Sequence, residues 1–169
     1  MRNLPKAGFA AAIVLFLADQ LSKWAVTRPL GIDSLGDAQT ITSFFDLRFV
    51  PNIGISLGLL PADGHLTRWA LVLLTGAISV GVAIWMTREK HPTDQVALGL
   101  VLGGALGNIL DRVRFGYVVD FADLHFGDWR PFLVFNVADA AITIGVLVLL
   151  LRAFLSRDKA APSVESPHA

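Results

Sequence analysis

The sequence predicts an all-α membrane protein: four transmembrane helices with a small extracytoplasmic β-sheet in the first outer loop. Three observations predict it. Hydrophobic residues make up 54% of the 169 and charged ones 17%, and mean hydropathy is +0.60, a balance suited to the bilayer. Four apolar stretches, approximately 8–27, 67–87, 94–112 and 132–155, are each long enough to cross a hydrocarbon core of about 30 Å. Between the first two, Phe45, Leu47 and Phe49 alternate with Asp46 and Arg48, which is the period of a strand.

The first span follows Arg2 and Lys6 and so resembles a cleavable leader. No small-x-small cleavage site comes after it; the chain continues as Ala18-Asp19-Gln20-Leu21-Ser22-Lys23-Trp24, so the span is expected to remain as an anchor. The connection 28–66 is the only long one. Its strand ends at Pro51-Asn52, and Gly54 and Gly58 loosen the chain beyond that turn. The third span carries Gly99, Gly103 and Gly107 four apart, a spacing that lets helix backbones approach closely. Gly104 lies off that stripe. Loop 113–131 holds Phe115, Tyr117, Phe121, Phe126 and Trp129, as suits a segment at headgroup level. The fourth span, starting near Phe132, would carry Asn136 and Asp139 on one face, with Asp139 about 10 Å below the surface at about 1.5 Å per residue.

Residues 1–157 therefore read as one polytopic domain, and 158–169, polar and Pro-containing, as a disordered cytoplasmic tail. Basic residues divide evenly between the two sides, but the inner segments are shorter and Arg88-Glu89-Lys90-His91 is dense. Most acids fall outside. Both termini are expected in the cytoplasm.

Composition also excludes. There is no cysteine, which removes thiol catalysis, disulfides and Cys-ligated metal. No basic stripe suggests nucleic acid. Gly54-Ile55-Ser56-Leu57-Gly58 matches a serine-hydrolase elbow in letters only. No histidine falls in a span, and no helix is predicted directly after Ser56. There is no His-Glu-x-x-His.

What remains is carboxylates. Asp139 stands inside an apolar run and Asp120 just before it. A carboxylate at bilayer depth costs roughly 2.5–3.5 kcal/mol on insertion scales, so such residues are usually functional. Asp19 and Lys23, four apart, share a helix face: an ion pair near the outer interface or a direct substrate contact. Asn108, Asp111 and Arg112 cluster at the end of the third span, as a polar cap or as a hold on a carboxylate or lipid phosphate. Two carboxyls close together cannot both ionise cheaply, and such a pair can activate water. The rival reading is a proton- or ion-coupled carrier with Asp19, Asp111 and Asp139 as relays. The lack of an internal repeat counts against it.

Five segments also carry a resemblance along almost the whole chain: Asp19-Gln20-Leu21-Ser22-Lys23-Trp24, Asn52-Ile53-Gly54, Gly103 to Arg112 (Gly-Gly-Ala-Leu-Gly-Asn-Ile-Leu-Asp-Arg), Val118-Val119-Asp120-Phe121 and Phe135-Asn136-Val137-Ala138-Asp139. In that order on four spans they resemble the bacterial lipoprotein signal peptidase (signal peptidase II) family. The resemblance implies an aspartic endopeptidase of the cell inner membrane, with its site near the outer face. It would cut before the lipidated cysteine of diacylglyceryl-modified prolipoproteins, with no cofactor or metal. It implies Asp120 and Asp139 as the catalytic dyad, and Asn52, Gly54, Asn108, Arg112 and Asn136 in substrate contact. Asp19, Lys23, Gly104, Asp111 and Ala138 would give structural support. The implied partners are the lipid-modified substrate and membrane phospholipid, with no nucleic acid, and the protein is expected to act as a monomer. The sequence departs from the family pattern at Ile55-Ser56-Leu57, where small residues and an aromatic are usual.

Overall fold

The computed structural model describes residues 4–54 and 64–158. Ile55-Ser56-Leu57, Gly58 and the tail after Asp158 lie outside the described residues. Among the described residues four helices are long and apolar enough to cross a membrane: α1 (Lys6–Thr27), α2 (Gly64–Arg88), α3 (Pro92–Phe115) and α4 (Val137–Asp158). Three strands join them: β1 (Ala38–Thr42), β2 (Phe45–Asn52) and β3 (Val118–Leu124).

Helix α3 is the centre of the bundle and packs against α1, α2 and α4. Glycine explains how. A Cβ on Gly103 would collide with the Ala12 carbonyl, and one on Gly107 with the Asp19 carboxylate, both on α1. The stripe expected to pack helices thus faces α1. Gly104 faces the other way: a Cβ there would lie 2.7 Å from the Ala138 carbonyl oxygen of α4. Backbones at such separations admit no side chain, which is how small residues hold helices together where lipid supplies no hydrophobic drive. By contrast α2 turns most of its surface outward, with Leu66, Leu73 and Leu74 exposed.

The sheet runs β1-β2-β3, antiparallel throughout. The predicted strand becomes β2, paired with β1 across a tight turn. The third strand comes from the second outer connection, where the sequence reading expected an aromatic headgroup loop. Its residues Val118 to Ala122 are all buried, because Val119, Phe121 and Ala122 pack with Val26, Ile32 and Phe49 into a core beneath the sheet. Between the pairs Leu47–Ala122 and Val50–Asp120, β2 carries one residue more than β3. That bulge lies beside Asp120, a usual place for re-aiming a side chain.

The start of the fourth helix differs from expectation. It begins at Val137, not near Phe132. Phe132-Leu133-Val134-Phe135 is apolar enough to read as helix, but a run this short does not distinguish helix from strand. Phe135 instead bridges β3: its N–H donates to the Ala122 carbonyl (3.1 Å), and its carbonyl accepts from Phe121 (3.0 Å) and Ala122 (2.8 Å). Asp139 accordingly lies in the first turn of α4, not two turns in, and Asn136 precedes the helix.

Candidate active site

Three chain segments converge at the C-terminal ends of α1 and α3. Strand β3 delivers Asp120, the first turn of α4 delivers Asp139, and the end of β2 delivers Asn52. Because Phe135 is stitched to β3, Asn136 is set down between the two aspartates. Its Nδ2 donates to Asp120 Oδ1 (2.6 Å). Its Oδ1 accepts from the Asp139 backbone N–H (2.9 Å), while Asp139 Oδ2 accepts from the Asn136 N–H (3.3 Å). That reciprocal pair is a capping box, with Asn and Asp in place of Ser and Glu. One asparagine therefore starts the helix and bridges both carboxyls.

Two further amides complete the surroundings. Asn52 Nδ2 donates to Asp120 Oδ2 (2.9 Å), and Asn108 Nδ2 to Asp139 Oδ1 (2.9 Å). Asn52 Oδ1 accepts from the Gly54 N–H (2.8 Å), closing a turn in which Gly54 has φ +85°. Side-chain-bearing residues avoid that region. The same glycine borders Arg112, whose Nη2 would lie 3.4 Å from an added Cβ. Arg112 Nε has no hydrogen-bond partner among the described residues, so the guanidinium keeps donor capacity. A cavity of about 340 Å³ opens here, with Asn52, Ile53, Gly54, Asp120, Leu133 and Val134 on its walls. Burial pushes the Asp120 carboxyl up to about 6; the Asn52 amide opposes the rise and the nearby Asp139 charge adds to it.

Behind this layer lies a second pair of carboxylates, both fully buried. Lys23 Nζ donates to Asp19 Oδ2 (2.8 Å), to Asp111 Oδ2 (2.7 Å) and to Asn108 Oδ1 (3.1 Å). Each carboxylate then reaches a backbone. Asp19 Oδ1 accepts from the Ala138 N–H (3.0 Å), and Asp111 Oδ2 from the Val119 N–H (3.2 Å). These are the residues immediately before Asp139 and Asp120. Ala138 is fully buried, with no room at its carbonyl for more than Gly104.

All twelve residues singled out from the sequence thus fall in one connected region. The sequence reading missed Gln20, whose Nε2 donates to Asp111 Oδ1 (3.0 Å) and Asp19 Oδ2 (3.2 Å). As the neighbour of Asp19 it points about 100° away by helical count, so spacing gave no signal. Of the histidines, His125 pairs with Asp46 at 3.3 Å on the sheet, away from these groups.

Residues 11–155 match the family model described as Signal peptidase (SPase) II. The chain is 56% identical over 160 residues to a lipoprotein signal peptidase of Sphingopyxis alaskensis, covering 95% of this chain and 92% of that one. It is 56% identical over 156 residues to one of Rhizorhabdus wittichii, covering 92% and 90%. Among solved structures it is similar to a bacterial membrane enzyme determined by the in meso method at 2.3 Å resolution. The TM-score is 0.72 and the identity 26%, over 95% of this chain and 94% of that one.

Proposed function

We infer what this chain does from the premise that it belongs to the signal peptidase II family. As a member it is a multi-pass bacterial membrane protein and an aspartic peptidase that removes signal peptides from lipoproteins. The finer proposal is that Asp120 and Asp139 are its dyad, that it cuts before a diacylglyceryl-modified cysteine, and that Asn52, Gly54, Asn108, Arg112 and Asn136 hold the substrate.

The observation that carries the dyad is the set of partners. Asp120 and Asp139 are joined through one asparagine and are otherwise hydrogen-bonded by amides, with no ammonium or guanidinium closing on either among the described residues. A carboxyl held by neutral donors can take up and release a proton. We assign the proton to Asp120, which is buried and raised by that burial, and the base to Asp139, which is half-buried at the start of α4. Asp139 takes a proton from water as the oxygen attacks the peptide carbonyl, and Asp120 gives its proton to the carbonyl oxygen. The resulting diol returns a hydroxyl proton to Asp120 as it collapses. Asp139 passes its proton to the leaving nitrogen, and both acids are restored. Arg112, with unused donor capacity beside Gly54, is suited to a substrate carbonyl.

The site lies at the end of the bundle opposite the basic turn Arg88-Glu89-Lys90-His91. That supports cytoplasmic termini and a site near the outer face, where a lipid-anchored peptide presents its cleavage point. The α1–α3 seam has an apolar groove of about 560 Å³ lined by Phe9, Ile13, Phe16, Leu17, Leu106 and Ile109, which suits phospholipid chains around a monomer.

A gel-shift cleavage assay on a lipidated precursor tests the dyad. Asp120→Asn and Asp139→Asn should each reduce cleavage by about 10⁴-fold or more while the protein still binds precursor. Wild-type cleavage by either variant would remove the dyad. Residual transport activity with asparagine at 120 would favour the carrier.

A further inference from the structure

We propose that Lys23 is a positioning residue for the reaction: its ammonium fixes which way the Asn108 amide faces and so keeps an N–H donor on Asp139. The proposal rests on the dyad reading and deepens it.

The Asn108 side chain is contacted on both ends. Its Oδ1 accepts from Lys23 Nζ (3.1 Å) and from Asn136 Nδ2 (3.3 Å), and its Nδ2 donates to Asp139 Oδ1 (2.9 Å). Turned over, the amide would set N–H against an ammonium and an NH₂ group, neither of which accepts. It would also set its oxygen against the Asp139 carboxyl. Asn136 alone opposes this weakly, because its best contact goes to Asp120 at 2.6 Å. Lys23 opposes it with full charge, and Asp19 and Asp111 hold that charge in place. All three ammonium protons are used, one each on Asp19, Asp111 and Asn108, so Lys23 cannot rotate away without loss.

The consequence is chemical as well as geometric. A turned Asn108 would accept a hydrogen bond from a protonated Asp139 and so favour the form that cannot take a proton from water. Lys23 prevents this by holding the amide oxygen on its own side of Asn108, away from Asp139. The other groups facing the dyad are Arg112 from α3, Asn52 from β2 and Asn136 before α4. Among the described residues none of them touches Asn108 Oδ1 with a formal charge; Arg112 Nη1 reaches the Asn108 backbone carbonyl instead (3.5 Å).

The test is the pH dependence of kcat/KM on a lipidated precursor. Lys23→Met should move the acid limb of the profile upward by about one pH unit, with cleavage recovering on the alkaline side. Lys23→Arg should restore most of the position of the limb. If Lys23→Met alone fails to fold, the same measurement is made in an Asp111→Asn background, where one fewer carboxylate is left unpaired. Asn108→Ala supplies the second readout: with the amide gone, Lys23→Met should shift the limb no further. An unmoved limb in the Lys23 variant, or an equal shift with and without Asn108, overturns the proposal. Either result leaves the dyad standing, since the dyad is judged by the Asp→Asn variants.

Discussion

Four aspartates gather at one end of this bundle, and they form two pairs with opposite surroundings. Asp19 and Asp111 close on Lys23 at 2.8 and 2.7 Å, and their remaining oxygen valences are taken by Gln20 and by the backbone N–H groups of Ala138 and Val119. Among the described residues Asp120 and Asp139 meet only amides and one backbone N–H. Burial alone does not separate the pairs: Asp120 is as buried as Asp19 and Asp111, and only Asp139 is half-buried. Partner charge does. A carboxylate gripped by an ammonium and two further donors is held in one place and serves as a clamp. A carboxyl held by neutral donors stays able to exchange its proton. The clamps grip the residues just ahead of the two exchangeable acids, so one pair aims the other.

Replacing each aspartate by asparagine in turn is the strongest way to break that comparison. At 120 or 139 cleavage should collapse by about 10⁴-fold or more, with the fold intact. At 19 or 111 the larger loss should be in stability. Asn offers one oxygen where Asp19 uses two to accept three hydrogen bonds and Asp111 likewise, and each lost partner costs about 1–3 kcal/mol. Thermal unfolding beside cleavage rate checks this. A destabilised 120 variant together with a stable, inactive 19 variant would reverse the roles.

The pairs were unequally legible in the sequence. Asp19 and Lys23 are local on one helix, and the spacing of four offers their ion pair as one of two readings. The glycine stripe likewise announced a close helix contact for α3, and the structure supplies α1 as its partner. Nothing local joins Asp111 to Lys23, which meet across the α1–α3 seam, or Asp120 to Asp139, whose link through Asn136 depends on how β3 is held. That strand was hidden: Val118 to Ala122 is buried throughout and shows no alternation, and its aromatics resembled a membrane-surface loop. The same blindness misplaced the start of α4, since Phe135 reads as helix until its partner strand is known. The substrate-class reading came from matching motifs; the residues alone supported only a water-activating pair.

A subtler test uses pH on the same acids. The folded state raises Asp120 to about 6, above the unfolded carboxyl at about 3.9. Between those values the folded protein binds more protons than the unfolded, so its stability falls as pH rises through the window and levels off above it. Asp120→Asn carries no such charge. Its melting point relative to wild type should therefore rise between about pH 4 and pH 6 and hold level on either side, on top of a constant offset because the amide leaves Asn52 or Asn136 without an acceptor oxygen. A wild-type melting curve equally displaced at all pH values would mean that burial does not raise Asp120, and the distinction between exchangeable and fixed acids would lose its electrostatic support.

The smallest expected effect comes from a fourth buried carboxylate. Asp123, on β3, is 1% exposed and receives Arg48 and Arg130, each through Nε at 3.2 Å. Burial matches that of Asp111, and again cations close on it. The difference lies on the cation's side: Arg48 and Arg130 are 41% and 44% exposed, whereas Lys23 is 5%. Water screens the arginines, and each can cover for the other. Arg48→Ala or Arg130→Ala alone should therefore cost no more than about 1 kcal/mol and leave cleavage unchanged. Only the double variant strands Asp123 without a cation, and its loss should exceed the sum of the two singles. Denaturant titration of the three variants checks this: additive losses would mean that Asp123 never relied on either arginine, and that charge neutralisation distinguishes clamps from acids only where the cation is itself removed from water.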